Sequence, residues 1–135
     1  MEHMLLLLLI ILVIKHWLAD FPLQTEYMLN KSAKEGWAIP LLDHALVHGF
    51  MSAVIFMLFS TWWFGLLIGI LDTMLHFIID RLKGSPTIKE MYEPWLLRTF
   101  KTDSNKIFWV TLGLDQALHY LSYILYLYIW LRMFG

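Results

Sequence analysis

The stretch Asp72-Thr73-Met74-Leu75-His76-Phe77-Ile78-Ile79-Asp80 places three ionisable residues at the end of a long apolar run. They are four apart, so on an α-helix they stack along one slowly drifting stripe. The same spacing recurs in His16-x3-Asp20, His44-x3-His48 and Asp115-x3-His119, each in a different hydrophobic segment. Five of the six histidines belong to these pairs. The pattern predicts a membrane bundle built around a site that the pairs make together.

Composition agrees with that class. The chain has 135 residues, enough for one domain, and 59% of them are hydrophobic. Charged residues make up only 16%, and seven Trp suit a protein with two membrane–water interfaces. A net charge of −1 gives no reason to expect a nucleic-acid partner. Cysteine is absent, so any metal would be held by imidazole and carboxylate rather than thiolate.

The first apolar segment, about residues 4–20, is apolar all round, which excludes an amphipathic surface helix. A cleaved signal peptide is the competing reading. It lacks a basic leading region and a small-residue cleavage pattern, and the run ends instead in Lys15, His16 and Asp20. Residues 21–39 form a polar loop. A second helix is expected over 40–59, opened by Pro40, and a third over 64–82, stopped by Gly84 and Pro86. Ser60-Thr61-Trp62-Trp63 reads as a tight turn at an interface. Residues 83–103 form a second polar loop, in which Met91, Trp95, Leu96, Leu97 and Phe100 suit a short interfacial helix. A fourth helix over 104–134 would be about 45 Å long, more than a ~30 Å hydrocarbon core, so its first turns would stand out of the membrane.

The fold expected is therefore all-α: a single transmembrane domain, 1–135, as an up-down-up-down four-helix bundle. In that topology all four pairs fall on the same side at similar depth. Two hairpins, His16-x3-Asp20 with His44-x3-His48 and His76-x3-Asp80 with Asp115-x3-His119, hint at a pseudo-two-fold repeat. Lys31, Lys34, Arg81, Lys83, Lys89, Arg98, Lys101 and Lys106 lie on the loop side, against Arg132 alone on the other. The positive-inside rule then puts the loops and the site in the cytoplasm and both termini outside, in a bacterial plasma membrane.

A charge in the middle of a spanning helix costs roughly 2.5–3.5 kcal/mol on insertion scales, so this many ionisable groups at one depth need a mutual partner. Residues at i and i+4 can share one metal ion, and helical bundles that hold two metals use a comparable donor set. The expected metal ligands are His16, Asp20, His44, His48, His76, Asp80, Asp115 and His119. They would bind one or two divalent ions, with zinc first and manganese or iron as alternatives. Asp72 is open between ligand, support for a ligand and base, and is the first candidate to move protons; Gln24 and Gln116 are placed to support ligands by hydrogen bonding. Lys31, Arg81 and Lys83 satisfy the positive-inside bias and could also hold an anionic head group. Asp43 neighbours His44, so it points about 100° away and reads as a surface or capping residue. His3 belongs to a solvated terminus. The bland alternative for the whole set is a metal-free network of Asp–His hydrogen bonds that glues the helices.

The elements His16-x3-Asp20-Phe21-x-Leu23-Gln24, His44-x3-His48, His76-x3-Asp80 followed by Lys83, and Asp115-Gln116-x2-His119 resemble a family of small bacterial and phage membrane proteins of unknown function. The resemblance covers nearly the whole chain. It implies a polytopic membrane protein with the paired residues at its centre, and no reaction. More distantly, the layout is similar to membrane-bound metal-dependent hydrolases.

Two functions follow as expectations. The first is a metal-dependent hydrolase, in which an acidified water attacks an ester, amide or phosphoester of a lipid or amphiphilic substrate at the cytoplasmic interface. The second is a non-enzymatic membrane protein: an ion carrier, a channel or a phage-type regulatory protein. A transporter needs polar residues across the whole membrane, and the outer halves of the helices are nearly all apolar. Haem is a third option that interleaved carboxylates fit poorly.

Overall fold

The computed structural model describes residues 2–135, and the chain is all-helical. α1 spans Glu2–Asp20, α2 is a single turn at Glu26–Leu29 followed by a 3₁₀ turn at Asn30–Ser32, and α3 spans Ala38–Phe59. α4 is Trp62–Gly84, α5 is Pro86–Phe100 and α6 is Ser104–Phe134. Thr25, Ser85 and Asp103 cap α2, α5 and α6 by accepting the backbone N–H three residues on.

Three of these helices, α1, α3 and α4, are long and apolar enough to cross a membrane. The sequence predicts four such spans. α6 has the length, at 31 residues, but it interleaves Asp115, Gln116, His119 and four tyrosines with its leucines and isoleucines. That composition lowers its hydropathy below the other three. The second connection contains the helix that its apolar residues suggest, and most of it is the 15-residue α5, with no buried residue.

The four long helices pack as a ring, α1 against α3 and α6, and α4 against α3 and α6. On α1, the buried residues Leu8, Leu12, Lys15, His16 and Ala19 fall on one face, and Leu6, Ile10, Ile14 and Trp17 stand exposed on the other. An exposed apolar face of that extent is suited to lipid. Against lipid, apolar burial gives helices little reason to associate, so close packing and polar contacts must hold them together.

α3 and α4 meet that demand with glycine. A Cβ on Gly69 would sit 2.8 Å from the carbonyl oxygen of Gly49 and 2.7 Å from Cβ of Ala53, so only glycine permits this approach. The apolar core lies towards one end of the ring, where Leu8, Leu12, Phe56, Phe64, Ile68, Leu127 and Trp130 interlock. The other end is polar and holds the site.

Candidate metal centre

Each long helix contributes side chains to the ring's interior at four-residue steps, and these stack in layers. Nearest the loops lie Asp20 of α1, His44 of α3, Asp80 of α4 and Asp115 of α6. One helical turn further in lie His16, His48, His76 and His119. A turn beyond those lie Ser52, Asp72 and Tyr123. The five imidazoles are all buried, as are Asp72 and Asp115, and Asp20 and Asp80 are half-buried.

The outer carboxylates each face several imidazoles. Oδ1 of Asp20 is 3.0 Å from Nε2 of His48 and 3.4 Å from Nε2 of His44, and its Oδ2 is 3.1 Å from Nε2 of His16. Oδ1 of Asp80 is 3.1 Å from Nε2 of His119, and its Oδ2 is 3.3 Å from Nε2 of His44. Asp115 approaches His119 at 3.7 Å. The rings of His48 and His76 stack with centroids 3.7 Å apart, and those of His76 and His119 at 4.1 Å. Stacking this close suits neutral imidazoles or rings sharing a cation, since adjacent imidazolium ions would repel one another.

Three groups within the cluster have the geometry to hold an ion: His16, His48 and His76; Asp20, His44 and His48; and Asp80, Asp115 and His119. In each group the ligand atoms lie within 4.8 Å of one another. The structure thus brings together all eight residues that the spacing singled out. Nδ1 of His44, of His48 and of His119, Nε2 of His76 and Oδ1 of Asp115 are buried without a hydrogen-bond partner among the described residues, and Nε2 of His44 approaches Asp20 and Asp80 without hydrogen-bond geometry to either. An unsatisfied buried polar atom costs about 1–3 kcal/mol, so a cluster of six asks for a further partner. Neutral imidazoles and carboxylates are the donors that zinc, manganese and iron accept, so the set fits a divalent ion.

Beneath the imidazoles lies a network that the spacing did not announce. Lys15 is only 2% exposed; its ammonium donates to Asp72 Oδ2 at 2.6 Å and to Ser52 at 3.1 Å, and lies over the ring of Tyr123. Ser52 donates to the same Oδ2 at 2.6 Å, and Tyr126 donates to Oδ1 at 3.0 Å. Oδ1 also pairs with Nδ1 of His76 at 3.0 Å, leaving Nε2 of that ring free toward the cluster. A carboxylate on one ring nitrogen that orients the other toward a ligand is the usual support for a metal-binding histidine. Both oxygens of Asp72 are therefore engaged, which fits it to orient His76 and leaves little capacity to carry protons.

Of the missed residues, Ser52 and Tyr123 were accessible to the same rule. Each extends a four-residue ladder by one more step, His44-His48-Ser52 and Asp115-His119-Tyr123. Lys15 carried a different signal: it falls on the buried stripe of α1 with Leu8, Leu12 and Ala19, at steps of three and four.

The cluster opens towards the loops into a cavity of about 500 Å³, lined by Asp20, Gln24, Lys31, Asp80, Lys83, Asp115 and Gln116 among others. Gln116 touches both Asp115 and His16, at 3.1 and 3.2 Å, whereas Gln24 lines the cavity without a hydrogen bond to a ligand. Lys31 lies 2.8 Å from Asp80 and Lys83 lies 3.3 Å from Asp115. Arg81 is elsewhere, contrary to the expectation from sequence. It stacks on Trp37 with its guanidinium carbon 3.7 Å from the ring centroid, and it donates to the carbonyl of Ala33. Residues two apart on a helix point in nearly opposite directions, so Arg81 and Lys83 cannot share the cavity. Asp43 faces away from the site, in an outer groove with Leu46 and Phe50.

These features define a small all-helical protein with membrane-span-like helices and a buried histidine–aspartate cluster. The chain belongs to the DUF3307 family, described as proteins of unknown function, which it matches over residues 8–134. No curated protein and no solved structure matches it.

Proposed function

We propose that this chain is an integral membrane metal-binding protein and a metal-dependent hydrolase, acting on an amphiphilic substrate at the cytoplasmic face. The observation that carries the reading is the set of six unpartnered buried donor atoms inside a cluster of five imidazoles and three carboxylates. A divalent ion held there supplies Lewis acidity and a nucleophilic water at neutral pH. The protein's own residues do the rest. Asp72 fixes the tautomer and orientation of His76, the Tyr123 hydroxyl at 2.7 Å from Nδ1 and Gln116 at 3.2 Å from Nε2 fix His16, and the lysines at the mouth offer positive charge to a substrate anion.

The finer architecture belongs to this proposal. α1, α3, α4 and the second half of α6 would form an up-down-up-down transmembrane bundle with the loops and site inside the cell and both termini outside. The excess of lysine and arginine on the loop side supports that orientation. α5, which has no fully buried residue and leaves Met91, Trp95 and Phe100 exposed, suits the interface. The two hairpins related by a pseudo-two-fold axis would each bring four donors, giving two ions of unequal affinity, with zinc the first candidate.

The alternative, a carrier or channel using the same cluster, is disfavoured by what lies beneath it. Past the Lys15–Asp72 layer the ring is closed by Leu8, Leu12, Phe56, Phe64 and Ile68, which offer no polar path to the far side.

The test is hydrolysis of a panel of amphiphilic esters and phosphoesters by the detergent-purified protein. Zinc-loaded protein should turn over at least one class, and chelated protein none. A fully loaded protein inert across the panel would overturn the hydrolase assignment.

A further inference from the structure

Beside the polar cavity lies a second, apolar groove of about 280 Å³ between α4, α5 and α6. Its walls include Leu82, Ile88, Tyr92, Leu114 and Leu118, and its polar end is formed by Lys83 and Asp115. Those two residues also line the cavity at the cluster. The groove and the cavity therefore meet at the Lys83–Asp115 pair, which lines both. Other apolar grooves on the chain, such as that of Ile39, Leu42 and Phe77 between α3 and α4, share no residue with the cavity.

We infer that this groove is a lateral access path for a membrane phospholipid, with one acyl chain in the groove and the phosphate at Lys83. Three observations select that occupant. The groove wall is apolar and sits between two helices that present exposed leucines outward, Leu82 and Leu114, where lipid chains would lie. Its single cation stands at the junction with the polar cavity, which is where a head group attached to such a chain would fall. The cavity mouth carries Asp20, Asp80 and Asp115 against Lys31 and Lys83, so one divalent ion turns its balance from negative to positive and favours an anionic group. The inference rests on the proposed metal centre for the positive balance at the mouth, and on the hydrolase reading for what happens to the phosphoester once it arrives.

The experiment is native mass spectrometry of the zinc-loaded protein in detergent, titrated with phosphatidylglycerol. One lipid per chain should be retained. Leu118→Trp, which fills the groove, and Lys83→Gln, which removes the cation, should each weaken retention about tenfold. Thr111→Trp on the same wall carries the same expectation should Leu118→Trp melt early. Glycerol 3-phosphate and diacylglycerol, each lacking half of the ligand, should not compete at equal concentration. Absence of stoichiometric lipid, retention indifferent to the groove-filling variants, or equal competition by glycerol 3-phosphate would each overturn the proposal. Metal content of the same samples separates the two readings. Groove-dependent lipid binding by a protein that holds no metal would remove the hydrolase and leave the groove. Metal bound without groove-dependent lipid would do the reverse.

Discussion

The ammonium of Lys15 and the carboxylate of Asp72 meet at 2.6 Å, with both side chains fully enclosed between α1 and α4. An ion pair so placed is costly to desolvate and more costly to break, because removing one partner leaves the other charge buried alone. It also ties the base of the site together, since the same carboxylate orients His76.

Lys15→Met should therefore destabilise the protein by roughly 3–5 kcal/mol, the range for a broken buried pair. The double variant Lys15→Met with Asp72→Asn should recover part of that loss. Lys34→Met, which removes an exposed pair with Glu90, should change stability by under about 1 kcal/mol. Thermal unfolding in detergent compares the three. A Lys15→Met protein as stable as wild type would show that the pair contributes little.

The glycine contact between α3 and α4 sets the spacing of the stacked His48 and His76 rings. Gly69→Leu should separate the helices, cost about 1–3 kcal/mol, and lower metal content along with stability. Gly113→Ala meets open space on α6 and should be neutral or stabilising by up to about 1 kcal/mol. Equal effects of the two substitutions would contradict the close-packed role of Gly69.

Faces of α3 can be separated by content of bound metal. His48→Ala should lower it, because no neighbouring side chain replaces that donor. Asp43→Asn should leave it unchanged, since Asp43 lies in an outer groove. Loss of metal in Asp43→Asn comparable to that in His48→Ala would mean the cluster is not the binding site.

Orientation is read by cysteine accessibility in intact cells. A cysteine at Glu35, exposed beyond the 3₁₀ turn, should be shielded from an impermeant thiol reagent. One at Ser60, in the link between α3 and α4, should be labelled. The reverse pattern would place the site outside the cell.

Much of the site was legible in the sequence because the α-helix converts a spacing of four into a stripe. Asp20 with His44 and Asp80 with His119 are far apart in the chain, yet the structure brings them to 3.4 and 3.1 Å. The deeper layer was legible only in part. Ser52 and Tyr123 continue ladders already in view, whereas Lys15 falls outside the His16-x3-Asp20 pair and instead continues the buried stripe of Leu8, Leu12 and Ala19 at steps of three and four. Arg81 shows the converse. Charge alone grouped it with Lys83, and helical phase separates them. The fold was legible in its helices and less so in its connections. Within residues 83–103 a short helix was legible from Met91, Trp95, Leu96, Leu97 and Phe100, but not its length, because its start is set by the Ser85 cap and Pro86 at its first turn. α6 was expected as a fourth span from its length, and its interleaved polar residues keep it out of the set that is apolar enough by composition.

The central claim is that the five histidines and their carboxylates hold metal. Elemental analysis of the detergent-purified protein, followed by zinc titration of the stripped form with unfolding monitored in parallel, tests it most directly. The account predicts up to two equivalents of unequal affinity, a stability gain on loading, and a marked loss of metal in His76→Ala. A folded protein that takes up no ion, with wild type and His76→Ala indistinguishable in titration, would contradict it.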